Sequence, residues 1–164
     1  MIIRSIIIIE KYNMITIQEL KTKIDQKTRL LGIDMGSKKI GISICDDKRL
    51  IATPFHTIDF TSLDKLIVDL KKLINENNIK ALIIGDPINM DGSHGRTSQS
   101  IRDKSTMISK KIEVPTVLWD ERLSTVGAFN LSKQLDVNVS KRTKNIDKNA
   151  ATFILQGAID YLNN

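Results

Sequence analysis

Polar and apolar positions change their period several times along this chain, and each change marks an element. Residues 30–34, 40–45 and 50–58 are short apolar or β-branched runs, separated by Gly36 with Ser37 and by Asp46 with Asp47. Short runs broken by turn residues predict a meander of three antiparallel strands. From Thr61 the period lengthens: Leu63, Leu66, Ile67, Leu70, Leu73 and Ile74 recur at helical spacing and stop before Asn77 and Asn78. Ala-Leu-Ile-Ile at 81–84 is an unbroken apolar run ended by Gly85 and Pro87, as expected of a strand covered on both faces.

The remainder alternates. Residues 98–111 read as a helix, 114–119 as a short strand, and 124–135 as a helix capped by Ser124. Residues 136–145, DVNVSKRTKN, carry no period and predict a basic loop. The closing helix is expected at 147–162, with Ala150, Ala151, Ile154, Leu155, Ala158 and Leu162 near one face. Ahead of the meander, Thr16 stands three residues before Glu19, a capping-box spacing that predicts a short helix at 16–24. A meander followed by alternating strands and helices argues for an α/β fold, a mixed sheet with helices packed on it.

The 164 residues, 41% of them hydrophobic, suit one core and leave no room for a second large domain. Residues 1–29 are expected to be an N-terminal extension with a short helix, and 30–164 the domain proper. The apolar run at 2–9 is interrupted by Arg4 and Ser5, lacks a small-residue cleavage site and is far too short for a bilayer, so a cytoplasmic protein without a membrane partner is expected. A single cysteine excludes an internal disulfide and a multi-cysteine metal site; Cys45 reads as a small buried hydrophobe.

A net charge of +6 favours an anionic partner, nucleic acid or a phosphorylated ligand, without choosing between them. Lys38, Lys39, Arg96, Lys141, Arg142 and Lys144 are the candidates for contact with a phosphate backbone, which would make binding fall steeply with salt. Aromatic residues make up 4% of the chain, too few for base stacking to carry recognition.

Acids stand where strands or helices should end: Asp34 after the first run, Asp120 and Glu121 after the fifth strand, Asp147 in the first turn of the closing helix. Ligands collect at strand ends in open α/β sheets. Carboxylates that converge there repel one another, and the usual remedy is a hard cation such as Mg²⁺. Each acid has a plainer reading: Asp147 as a partner of the helix dipole, Asp120 to Arg122 as surface charge, Asp34 as part of a turn. D-x-G-x-x-x-x-G, here Asp34, Gly36 and Gly41, serves as a phosphate hairpin in two-domain actin-like ATPases and as the metal-binding first strand in ribonuclease-H-like nucleases. A chain of one domain favours the nuclease.

GIDMGSKKIGISICD at 32–46, IIGDPINMDGSHG at 83–95, DERLST at 120–125 and IDKNAATFILQGAID at 146–160 together resemble the YqgF family, also called RuvX. Its members are bacterial ribonuclease-H-like proteins, described as Holliday-junction-resolvase-like and as nucleases that mature the 5′ end of 16S ribosomal RNA. The resemblance runs from Leu30 to the end of the chain and implies a ribonuclease-H-like mixed five-stranded sheet with helices on both faces. It implies Asp34, Glu121 and Asp147 as catalytic ligands of Mg²⁺ or Mn²⁺, with Asp120 beside them. The loop from Pro87 to Ser93 would border the cleft, with Asn89 and Arg122 among the groups that meet substrate.

Two positions depart from the family pattern. Asp86 stands where an apolar residue is usual and reads as a solvated turn residue, with a fourth metal ligand as the alternative; Lys39 replaces a frequent arginine and loses its bidentate fork. His94 reads as exposed loop filler, with a phosphate contact as the alternative. The expected function is metal-dependent hydrolysis of phosphodiester bonds in precursor 16S rRNA. A Holliday-junction-type DNA resolvase and a non-catalytic nucleic-acid-binding factor in transcription or ribosome assembly are the alternatives, and RNA versus DNA and monomer versus homodimer stay open.

Overall fold

The computed structural model describes residues 13–123 and 139–164, the side chains of 139–149 excepted. The helix expected at 124–135 and the apolar run at 2–9 lie outside the described residues. The first described elements are the two-residue strand β1 (Met14–Ile15) and the helix α1 (Ile17–Lys23). Thr16 caps α1 as its spacing predicts, its hydroxyl accepting from the Glu19 N–H at 3.1 Å. Strands β2 (Leu30–Met35), β3 (Lys39–Cys45) and β4 (Ala52–Asp59) form the expected meander, each antiparallel to the one before. They are followed by α2 (Leu63–Asn77), β5 (Ala81–Asp86), α3 (Arg96–Lys111), β6 (Thr116–Asp120) and α4 (Val139–Asn163).

The strands order as β1-β6-β5-β2-β3-β4, with β5 parallel to both β2 and β6. The sheet therefore has six strands where five were expected. The sixth is β1, which runs parallel to β6 with Met14 beside Thr116 and Ile15 beside Val117. Two residues are too few to show a period, and what holds them is the open edge of β6, whose backbone groups need partners. Leu20 on α1 is fully buried among Leu30, Val117 and Trp119, so residues ahead of Leu30 supply both a strand and a core side chain.

Period-two alternation sorts the strands onto two faces. Leu31, Ile33, Leu82 and Ile84 pack against Leu66 and Leu70 of α2 and Ile101 and Ile108 of α3. Leu30, Ala81, Ile83, Val117 and Trp119 pack on the other face against Ile154, Leu155 and Ala158 of α4, so helices cover both faces as expected. The approach of α4 is set by Gly32: a Cβ there would lie 2.6 Å from Leu155 Cβ and 2.8 Å from the Ala151 carbonyl oxygen, and would run into Ser43 Oγ. Ser43 donates to that same carbonyl at 2.7 Å. Gly32→Ala should therefore lower stability by about 1–3 kcal/mol, the usual range for overpacking. An unchanged urea midpoint would show that α4 does not press on β2.

The basic segment at 136–145 was expected to be a loop, but α4 begins at Val139 and takes in Lys141, Arg142 and Lys144. Apolar periodicity reports only a face packed against something, whereas Lys and Arg sustain a helix without giving that signal. Asp147 accordingly stands inside α4, not in its first turn. The helix-dipole reading of Asp147 lapses with that, because the effect fades beyond the first turn. Cys45 is buried as expected; its Sγ accepts from the Leu30 N–H at 3.1 Å, and burial pushes the thiol pKa up.

Candidate active site

Parallel pairing aligns the C-terminal ends of β2, β5 and β6 at one edge of the sheet, and the acids of all three lie there. Ile33 pairs with Ile84 and Asp86 with Asp120, which brings Asp34, Gly85, Asp86, Asp120 and Glu121 to the same edge. Alternation then separates them. Asp34 continues the set of Leu30 and Gly32 toward α4, while Asp86 continues the set of Leu82 and Ile84 toward α3.

Glu121 lies with Asp34. A Cβ on Gly85 would collide with Glu121 Oε1 and with Ile154 of α4, so the Glu121 carboxylate lies over the bare backbone of β5, beneath α4. Its backbone N–H is fixed by the Asp86 carbonyl at 3.0 Å. Burial, and after it the negative charges of Asp34, Asp86 and Asp120, push the Glu121 pKa up to about 7. The carboxylate is held where its ionised form is disfavoured, and a cation is what would relieve it.

Without metal, protonated Glu121 is the form favoured by folding. Its contribution is full below the ordinary glutamate value of 4.5 and is lost as pH rises through about 7. In EDTA, thermal stability should accordingly decline between pH 5 and pH 8, and Glu121→Gln should flatten that decline. A wild-type profile already flat across this window would contradict the raised pKa.

Asp120 is engaged elsewhere. Arg122 grips it with Nε at 3.0 Å from both carboxylate oxygens and Nη2 at 2.7 Å from Oδ2, and this hydrogen bonding holds the Asp120 pKa below the usual carboxylate range. Arg122 Nη1 also reaches the Asn89 carbonyl at 3.4 Å, tying the end of β6 to the loop that follows β5. That loop is closed on itself: the Asn89 N–H donates to the Ser93 carbonyl at 2.9 Å, Gly92 N–H to Asn89 at 2.8 Å, and Ser93 N–H to Asp91 Oδ1 at 2.9 Å.

Asp86 corrects the expectation of a solvated turn residue, for only 1% of it is exposed. Ser98 Oγ donates to its Oδ1 at 2.5 Å, and Arg102 Nη2 stands 2.8 Å from its Oδ2. The arginine approaches off the hydrogen-bonding direction, so Oδ2 receives its charge rather than a well-aimed N–H. His94 is exposed in the loop as expected, but it is not without a role in the packing, since its Nδ1 lies 2.8 Å from Ser98 Oγ. Ser98 and Arg102 are one helical turn apart on α3, and an aspartate closing the apolar run 81–86 was the signal that something in the fold must meet it.

Of the expected substrate contacts, Lys38 and Lys39 are exposed at the turn after Asp34, and Asn89 and Arg96 are exposed in and after the β5 loop, all at the same sheet edge. Lys141, Arg142 and Lys144 are on the first turns of α4, and their side chains, with that of Asp147, lie outside the described residues. Among the described residues no three His, Cys, Asp or Glu side chains form a metal-holding group; Asp34 and Glu121 supply two. A hollow of about 440 Å³ lined by Lys71, Lys80, Lys111 and Glu113 lies at the opposite end of β5, away from Asp34, Asp86, Asp120 and Glu121.

Residues 28–161 match the family described as RuvX, Holliday junction resolvase. The chain belongs to the RuvX family. A RuvX relative from Pelagibacter ubique is 62% identical over 151 residues, 92% of this chain and 100% of its own. One from Rhizobium meliloti is 41% identical over 149 residues, 91% of this chain and 90% of its own. Both carry the words pre-16S rRNA nuclease in their names. The solved structure of T. thermophilus RuvC in complex with a Holliday junction substrate superposes with a TM-score of 0.54 at 10% identity, over 82% of this chain and 96% of RuvC. It shows that RuvX and RuvC share the ribonuclease-H-like fold that the sequence resemblance implied.

Proposed function

We propose that this RuvX chain is a metal-dependent endonuclease that hydrolyses phosphodiester bonds during 5′ maturation of precursor 16S rRNA in the cytoplasm. The observation that carries this reading is Glu121, raised to about 7 by burial and by Asp34 beside it. Two half-buried carboxylates facing the same helix form a hard-oxygen donor set suited to Mg²⁺ or Mn²⁺. Asp147, one turn before Ala151 on α4, is the third ligand of the reading. A cation held there supplies Lewis acidity for an attacking water and a leaving oxygen.

The chain's own residues do the rest. Gly85 leaves room for the Glu121 carboxylate, the Asp86 carbonyl fixes its backbone, and α4 covers it on one side. Lys38, Lys39, Asn89, Arg96 and Arg122 flank the edge as contacts for the phosphate backbone. Asp86 and Asp120 leave the ligand set, since both project toward α3 and both are paired with arginines. The names of the relatives support the RNA substrate, and among the described residues no helix is long and apolar enough to cross a membrane.

Purified protein should cut a labelled precursor 16S fragment with Mg²⁺ or Mn²⁺ and not in EDTA. Cutting in EDTA would remove the metal from the reading. Junction DNA cut in preference to RNA would turn it into a resolvase.

A further inference from the structure

Asp86, Ser98 and His94 form a hydrogen-bonded cluster, with Arg102 ion-paired to it, beneath the β5 loop on the opposite face of the sheet from Asp34 and Glu121. The metal reading has no use for it, yet it buries a carboxylate almost completely. An aspartate there carries a desolvation cost, and its arginine and serine partners offset that cost without explaining why His94 joins them.

Counting protons explains the histidine. A serine hydroxyl has one hydrogen, and Ser98 gives it to the Asp86 carboxylate, which has none to return. The 2.8 Å contact between Ser98 Oγ and His94 Nδ1 therefore requires Nδ1 to carry the hydrogen. In the neutral imidazole Nε2 is then a fixed acceptor. The side chain is 37% exposed, at the rim of the cleft and close enough to Asp120 to act on its charge. An acceptor aligned in this way has nothing to offer a phosphate oxygen, which also only accepts. Along a nucleic-acid backbone, the group that can donate to it is the ribose 2′-hydroxyl.

We propose that His94 is a specificity residue that reads a ribose 2′-hydroxyl, with Ser98 and Asp86 as its positioning residues and Arg102 balancing the buried charge. The inference rests on the nuclease reading of the cleft and adds to it the choice of sugar. It places the discrimination between RNA and DNA on a loop next to the scissile centre, not on the acids themselves.

The test is binding without cleavage, at pH 8 in EDTA, of a fluorescent stem-loop with a single-stranded 5′ tail, made once in ribose and once in deoxyribose. The wild type should prefer ribose by roughly three- to tenfold, the net worth of one hydrogen bond. His94→Ala should bring the ribose affinity down to the deoxyribose value, and Ser98→Ala, which frees the ring from its anchor, should remove most of the preference. Arg122→Ala should weaken both polymers alike, as a backbone contact does. A preference that survives His94→Ala, or a wild type without one, overturns the assignment. Equal losses on both polymers in His94→Ala make His94 a phosphate contact and overturn it too. Failure of the wild type to bind either polymer overturns this inference alone, because the nuclease reading is tested separately by cleavage with Mg²⁺ or Mn²⁺.

Discussion

Asp34→Asn should abolish metal-dependent cleavage while leaving the fold intact. Removing an outer partner of a metal site typically costs 10–100-fold in affinity or activity, so loss of a direct ligand should exceed roughly a hundredfold. The same substitution removes a like charge from beside Glu121, whose pKa should move back toward that of an ordinary glutamate. In EDTA above pH 7 the inactive variant should therefore melt slightly higher than the wild type. Cleavage assays beside a thermal melt test both halves. An active Asp34→Asn removes Asp34 from the chemistry, and a large drop in melting temperature would make it a structural residue.

Gly85→Ala should have the second-largest effect on cleavage. The new Cβ would occupy the space of Glu121 Oε1 and Ile154 Cδ1, and the longer, more movable glutamate is the group expected to yield. Displacing a reacting or ligating group by about 1 Å can cost on the order of a hundredfold in rate. The stability loss should stay within about 1–3 kcal/mol, since one methyl group is being accommodated. Loss of activity should therefore outrun loss of stability. A variant that melts far lower but cuts normally once folded would show that Gly85 serves packing against α4 rather than the carboxylate.

The meander, the two alternating units and the acids at strand ends were legible because burial on both faces writes unbroken apolar runs, and turn residues end them. Asp34 and Glu121 could be placed from that pattern and the family motifs. What escaped had no periodicity to announce it. β1 is two residues long and is held by the β6 edge; the start of α4 is made by Lys and Arg, which favour helix without marking a buried face. Asp86 was read as exposed because an acid next to Pro87 looks like a turn. Its burial depends on Ser98 and Arg102 of α3, partners set by how that helix docks.

The opposite directions in which the acids project follow from strand parity, which says more than proximity in the sequence does. Asp120 and Glu121 are neighbours in the chain, yet one is paired with Arg122 and the other lies buried on the opposite face near the negative charge of Asp34. A cluster of acids in one motif is thus divided between a clamp on the loop and a candidate metal ligand.

The long reach of the contacts that hold α4 has a consequence for when the enzyme becomes active. β2, β3 and β4 follow one another with short turns and can pair from local contacts, whereas Ser43 meets Ala151 across 108 positions of chain. Contacts of that separation close late, and a chain made on the ribosome exposes its N-terminal strands first. Asp34 is thus in place well before α4, which carries Asp147, can dock. On the nuclease reading, a chain still being synthesised beside ribosomal RNA carries an unfinished cutting centre and gains its activity only once α4 docks.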